Sequence, residues 1–262
     1  MIPVALTIAG SDNSAGAGAQ ADLKTFAALG VYGLTAISCV VAEVPARVSM
    51  IQGVDPSVVA EQIRLSFEFF PVAAVKTGLL HSREIMEAVC DALAGPRPFL
   101  VVDPVMVATS GKPLLKEDAV IIYKERLFPM ASLVTPNMDE AGTLLGRPVS
   151  TEAGMREAVE ELAKRFGTAF LLKGGHLRGG AAKDLLFHDG RVAEFSAPFV
   201  ENVRTHGTGC AYSAAITAGA AKGLPLDEAI PEAKRFVTEA IRKHLRWTHD
   251  GHSTAALNHS AI

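Results

Sequence analysis

The sequence predicts an α/β fold built on an open, mostly parallel sheet flanked by helices. Three observations carry that expectation. Short β-rich apolar runs alternate with longer segments of helical periodicity. Several of the short runs are apolar nearly throughout, as parallel strands covered on both faces are. Sharp glycine or proline turns follow the runs, and open α/β sheets bind ligands beyond the C-terminal ends of their strands.

Residues 4–8 read as the first strand, and 34–41, 73–76, 99–102, 132–134 and 169–173 as later ones. Asp55-Pro56 gives a helix start, with a capping carboxylate before a proline, and Val59, Ile63 and Phe67 follow at four-residue spacing. Ser150-Thr151 opens another helix, with Met155, Val159, Leu162 and Phe166 along one face. Asp189-Gly190 lies between two short β-like runs and reads as a hairpin turn. No repeat, low-complexity tract or linker interrupts the 262 residues, so one domain over 1–262 is expected.

Composition narrows the class of function. The chain is 49% hydrophobic and 20% charged with a net charge of −3, and lacks the basic excess that marks nucleic-acid binding. Its apolar stretches are strand-length, too short to span a bilayer. The first residues run straight into a strand with no signal-peptide pattern. Cys39, Cys90 and Cys210 are odd in number and widely spaced, which suggests neither a disulfide framework nor a zinc site. A cytoplasmic protein with no nucleic-acid or membrane partner is the expectation.

Chemistry concentrates in the turns. Thr205-His206-Gly207-Thr208-Gly209-Cys210 precedes a run of small residues where a helix can begin. A helix start carries unpaired N–H groups and positive potential, so Gly207, Thr208 and Gly209 form a candidate anion hole for a phosphoryl group. A first-turn cysteine is expected to have a lowered pKa, which would make Cys210 a candidate proton acceptor. The same segment also reads as a glycine-rich helix start with a structural cysteine.

After the first strand, the glycines and alanines from Gly10 to Ala17 and Gly18 let a ring approach the backbone, with Asp22 on the next helix facing back over the loop. Asp103 and the Asn137/Asp139/Glu140 group follow strands, where carboxylates can hold hydrated Mg²⁺; Asn137 and Asp139 also read as helix caps. Lys173-Gly174-Gly175-His176 offers a lysine for a nucleotide phosphate. No Walker-type Gly-x-x-x-x-Gly-Lys-[Ser/Thr] is present. His206 reads as satisfying backbone groups, and His249, His252 and His259 as surface or lid residues.

Six segments, in this order, resemble the hydroxymethylpyrimidine/phosphomethylpyrimidine kinases of thiamin biosynthesis, within the ribokinase-like superfamily. They are Leu6-Thr7-Ile8-Ala9-Gly10-Ser11-Asp12, Gln20-Ala21-Asp22-Leu23-Lys24-Thr25-Phe26, Val102-Asp103-Pro104-Val105-Met106, Thr135-Pro136-Asn137, Lys173-Gly174-Gly175-His176 and Thr205 to Cys210. The resemblance implies a three-layer α/β/α fold, ATP and Mg²⁺ as cofactors, an aminopyrimidine alcohol as substrate, two successive phosphorylations and a homodimer. It implies Cys210 as base, Gly207, Thr208 and Gly209 as anion hole, and Lys173, Asn137, Asp103 and Thr208 on the nucleotide. Asp103 and Glu140 would organise Mg²⁺, and Gly10, Ala17, Asp22, Val41, Glu43 and Leu79 would contact the pyrimidine. The chain departs from the family pattern where Ala42-Glu43-Val44-Pro45 replaces Ala-Gln-Asn-Thr, at Ala108-Thr109-Ser110-Gly111-Lys112, and at Arg204. Glu43 thus stands where the family has the glutamine that reads the ring. A pyridoxal or pyridoxine kinase and a non-catalytic sensor are the alternative readings.

Overall fold

The computed structural model describes residues 1–45, 47–95, 98–106, 115, 117–175, 181–201, 203 and 206–261. The expectations for Thr109, Lys112, His176, Arg204 and Thr205 lie outside the described residues. Alternation of strand and helix is borne out. In chain order the elements are β1 (Val4–Asp12), α1 (Gly18–Ala28), β2 (Tyr32–Val44), β3 (Arg47–Gly53), α2 (Pro56–Phe69), β4 (Val72–Thr77), α3 (Arg83–Leu93) and β5 (Phe99–Val102). There follow α4 (Glu117–Ile122), running into a π-helical and a 3₁₀ turn, then β6 (Leu133–Val134), α5 (Met138–Leu145), α6 (Glu152–Phe166) and β7 (Ala169–Lys173). The chain continues through β8 (Ala181–His188), β9 (Arg191–Pro198), α7 (Thr208–Ala221), α8 (Leu226–Arg242), β10 (Leu245–His249) and β11 (His252–Ala256).

Local chemistry sets the element ends. Asp55 accepts the Ser57 N–H at 2.8 Å ahead of Pro56, and Thr151 accepts that of Gly154 at 3.1 Å. Asn137 and Glu140 form a reciprocal capping box on α5, at 2.9 and 2.8 Å. Asp139 sits in the first turn of that helix and is not its cap. Asp189-Gly190 joins β8 to β9 as expected, both residues having positive φ.

Nine strands form one sheet in the order β3-β2-β1-β4-β5-β6-β7-β8-β9. The six from β2 to β7 run parallel, while β3 pairs antiparallel with β2, β8 with β7 and β9 with β8. Because side chains alternate along a strand, each sends neighbours to opposite faces. Leu6, Val75, Val102 and Leu172 pack with α2, α3 and α6 on one side. Ala5 and Ala74 pack with α1 and α7, and Val101 and Leu171 with α7 and α8, on the other. The result is the expected three-layer α/β/α arrangement. Connections leave β1 toward β2 and leave β4 toward β5, so the order reverses between β1 and β4 and opens a crevice there.

Three strands went unread in the sequence, β3 and the β10 and β11 hairpin that carries His249 and His252, as did helices α3, α4 and α8. Both histidines are exposed, but His259 is buried, 6% exposed, against Phe236. That corrects the surface reading for His259. Among the described residues no helix is long and apolar enough to cross a membrane.

Candidate active site

α7 lies at the centre of its layer and is apolar nearly all round, its alanines buried against strands and helices. Its first turn is different. Gly207 caps it in the left-handed conformation at φ 79°, with no side-chain cap and no acidic residue in the first turn. The first in-register helical bond is that of Ala211 N–H to the Gly207 carbonyl, at 2.9 Å. Helix geometry therefore turns the N–H groups of the partly exposed Thr208, Gly209 and Cys210 toward the crevice.

The loop after β1 closes directly onto this turn. A Cβ on Gly207 would lie 1.8 Å from the Gly16 carbonyl oxygen, so the two backbones touch. Gly10 lies beneath, where an added Cβ would meet Cys39 Sγ at 2.8 Å, Leu79 at 3.5 Å and Val41 at 3.6 Å. The sequence-predicted residues Gly10, Ala17, Val41 and Leu79 are thus brought to one floor beside Gly207 to Cys210.

Asp12, which sequence reasoning passed over, organises that loop. Its carboxylate accepts the N–H groups of Ser14, Gly16 and Ala17 at 2.7, 3.1 and 2.8 Å and the Ser14 hydroxyl at 3.0 Å. His206 Nε2 is 3.2 Å from Asp12 and 3.8 Å from Glu43. Burial opposes ionisation of Asp12, but the His206 bond and the loop N–H groups outweigh it and hold the carboxyl at about 2. His206 is pushed upward: burial disfavours its charge, yet Asp12 and Glu43 together prevail. It bonds a carboxylate, not the backbone groups expected. Glu43 is raised by burial and by Asp12, with His206 offsetting part of the effect.

Two expectations fail here. Asp22 does not face back over the loop; it points to the sheet with no accessible surface. Its Oδ2 accepts Thr7 Oγ1 at 2.6 Å and Lys76 Nζ at 2.8 Å, while Oδ1 is buried without a partner. A carboxylate in that position is out of a ligand's reach. Cys210 has no lowered pKa either. Burial pushes its thiol to about 11, against the pull of the Lys76 ammonium and the Gly18 N–H, and Asp103 and Asp22 add to the rise. Desolvation of the thiolate outweighs the helix terminus.

At the other end of α7's first turn, Lys173 Nζ bonds Asp103 at 2.9 Å and would lie 3.4 Å from a Cβ on Gly209. Its ammonium therefore stands beside the candidate anion hole. Thr135 Oγ1 reaches Asp103 at 3.4 Å and lies 2.9 Å from Ser213 Oγ, which bonds back to the Gly209 carbonyl at 3.0 Å. Buried Glu140 is raised to about 7 by burial and Asp103, although Lys173 and the Asn137 N–H favour its ionisation. Asp103 and Glu140 are thus two buried carboxylates sharing one lysine. That charge deficit and all-oxygen donor set suit a hydrated divalent cation such as Mg²⁺.

The arrangement offers an anion hole, an ammonium, a sulfur and an apolar floor within one crevice, which fits transfer of a phosphoryl group to an alcohol on a flat ring. A family model described as phosphomethylpyrimidine kinase matches residues 12–255. The hydroxymethylpyrimidine/phosphomethylpyrimidine kinase of Rhizobium meliloti is 45% identical over 242 residues, covering 92% of this chain and 91% of the relative. The thiamine biosynthesis bifunctional protein ThiED of Geobacter sulfurreducens is 47% identical over 90% of this chain; the chain spans about half of that protein, 49% of its length. Among solved structures, an ADP complex of Bacillus subtilis pyridoxal kinase superposes with a TM-score of 0.90 at 33% identity, covering 100% of this chain and 98% of the other. The phosphomethylpyrimidine kinase of Clostridium difficile gives 0.81 at 37% identity, covering 91% and 99%. With a family match over nearly the whole sequence and these motifs gathered around one crevice, the chain belongs to the phosphomethylpyrimidine kinase family.

Proposed function

We propose that the protein transfers the γ-phosphoryl group of ATP to the hydroxymethyl oxygen of 4-amino-5-hydroxymethyl-2-methylpyrimidine, and then phosphorylates the monophosphate to the diphosphate, in thiamin biosynthesis. The observation that carries this reading is the backbone contact between Gly16 and Gly207, which closes the loop of Gly10 and Ala17 onto the Cys210 turn. A ring on the Gly10, Val41 and Leu79 floor has its alcohol facing the sulfur and the helix start. We further assign the protein a single domain, a homodimeric state and a cytoplasmic setting.

In this mechanism Cys210 accepts the hydroxyl proton as the oxygen attacks phosphorus. A thiolate whose conjugate acid lies near 11 is scarce at neutral pH but a strong base when formed. The N–H groups of Gly207, Thr208 and Gly209 take up charge on the transferring group, and Lys173 neutralises the polyphosphate. Asn137, Asp103 and Thr208 border the nucleotide. Asp103 and Glu140 would hold Mg²⁺, which when bound screens the phosphate oxygens and supplies no proton chemistry. Positioning and charge neutralisation account for most of the catalysis in such transfers.

Glu43 supplies the reading of the ring. Burial and Asp12 shift its pKa upward, and a protonated carboxyl there would both donate and accept hydrogen bonds, as the family's glutamine does. Product analysis by mass spectrometry, with ATP, Mg²⁺ and the pyrimidine alcohol, tests the assignment. A phosphate monoester followed by a diphosphate is expected. Ligand-induced thermal stabilisation with no ester from any pyrimidine or pyridine alcohol would make the protein a sensor.

A further inference from the structure

The β4 lysine has no part in the chemistry described above, and it is the one charged residue of β4. Lys76 has no accessible surface, and its Nζ is fixed by Asp22 at 2.8 Å on an oxygen that also accepts Thr7. Thr7 and Lys76 are register partners on adjacent parallel strands, so the three side chains form one fixed group on the α1/α7 face. A buried ammonium in an apolar strand is costly to keep unless it compensates a charge, and Asp22 uses only one of its two oxygens.

The packing identifies what else the ammonium faces. Ala74 packs in one cluster with Ala214 and Ala218 of α7; because α7 starts against the loop that follows β1, at the C-terminal ends of the strands, it runs antiparallel to β4. Two residues along β4 advance about 6.6 Å, and four residues back along α7 advance about 6 Å. The layer above Ala74 and Ala214 is therefore Lys76 and Cys210. A Cβ on Gly78 would lie 3.2 Å from Lys76 Nζ, which sets the ammonium at the height of the crevice floor. After burial, Lys76 exerts the strongest influence on the Cys210 thiol, and it favours the thiolate.

We infer that Lys76, held by Asp22 and Thr7 beneath the first turn of α7, is the positioning cation that stabilises the Cys210 thiolate. Its place in catalysis rests on the proposed role of Cys210 as base, but the pairing itself does not. Among the described residues, the charged groups facing Cys210 are Lys76 from β4, Asp22 from α1, Asp103 after β5 and Lys173 at the end of β7, and of these the two lysines favour the thiolate. Lys173 bonds Asp103 and stands on the nucleotide side, so Lys76 is the cation that remains under the sulfur when polyphosphate is bound.

The test is the pH dependence of Cys210 alkylation by iodoacetamide, read at that residue by peptide mass mapping. It compares wild type with Lys76→Met and with the charge-balanced Lys76→Met/Asp22→Asn. Lys76→Met is expected to move the half-point to higher pH and slow alkylation at pH 9 at least tenfold. The double variant, which keeps the region neutral should the single one fail to fold, shifts the same way by less, because Asp22 opposes the thiolate more weakly than Lys76 favours it. Lys76→Arg is expected to retain most of the wild-type profile. A profile unchanged in either folded neutral variant overturns the inference. A shifted profile with full turnover in Cys210→Ala would uphold the pairing and retire Cys210 as the base.

Discussion

The Gly207 Cα and the Gly16 carbonyl are so close that a methyl group on the former would overlap the latter, at 1.8 Å. With φ at 79°, Gly207 is also in a conformation that side chains resist. The contact joins the proposed ring-binding loop to the proposed anion hole, two features that are far apart in sequence. Gly207→Ala is expected to cost about 2 kcal/mol or more in stability and to lower turnover more than a hundredfold. Thermal unfolding and ADP release check this together; a variant with normal turnover would mean the two segments act independently.

Cys210→Ala is expected to lower kcat by about 10²-fold with ATP binding nearly unchanged. The thiol near 11 also fixes the pH profile. If the thiolate is the active form, log kcat/KM rises with pH across the neutral and alkaline range toward 11. Cys210→Asp is expected to level off at lower pH, since a carboxylate ionises earlier. A wild-type plateau beginning below pH 8 would contradict a raised thiol.

Asp12 and His206 give stability a pH window. Asp12 is held below its ordinary 3.8, so its contribution is present above 3.8 and lost as pH falls through about 2. His206 is raised above 6.5, so its contribution is full below 6.5 and lost as pH rises through the higher native value. Both are complete between about 3.8 and 6.5. Asp12→Asn should therefore be most destabilising in that window, by about 2 kcal/mol for the Asp12 part. Denaturant unfolding in a Glu43→Gln background isolates the pair from the third group. A difference that does not vary with pH would show that packing, not charge, holds the loop.

Glu43→Gln is expected to lower KM for the pyrimidine by about fivefold, or about 1 kcal/mol. It removes a carboxyl whose ionised form burial and Asp12 disfavour. A raised KM would show that the carboxylate itself reads the ligand.

Much of this was legible in the sequence because its signals are local. Residues 99–102 and 169–173 match β5 and β7, and the caps at Asp55 and Thr151 mark their helices. Gly10, Ala17, Val41 and Leu79 converge as the motifs implied. What was missed depends on three dimensions. β3 is a polar-alternating strand at the sheet edge, readable only from its antiparallel partner β2. The β10–β11 turn, Asp250-Gly251, carries the same signal as Asp189-Gly190, but the strands beside it are short, with β10 exposed throughout, and lack a sustained apolar face. Asp22 and Cys210 were misjudged because burial, invisible along the chain, outweighs the position of each on its helix. Asp12 and Lys76 could have been found as charged residues at the end of one apolar strand and within another.

The central claim is that the crevice phosphorylates an aminopyrimidine alcohol. The most direct measurement is kcat/KM for ADP release with 4-amino-5-hydroxymethyl-2-methylpyrimidine and with pyridoxal, each with ATP and Mg²⁺. A value at least tenfold higher for the pyrimidine, lost in Cys210→Ala, is expected. A preference for pyridoxal, or pyrimidine turnover that survives Cys210→Ala, would contradict the claim.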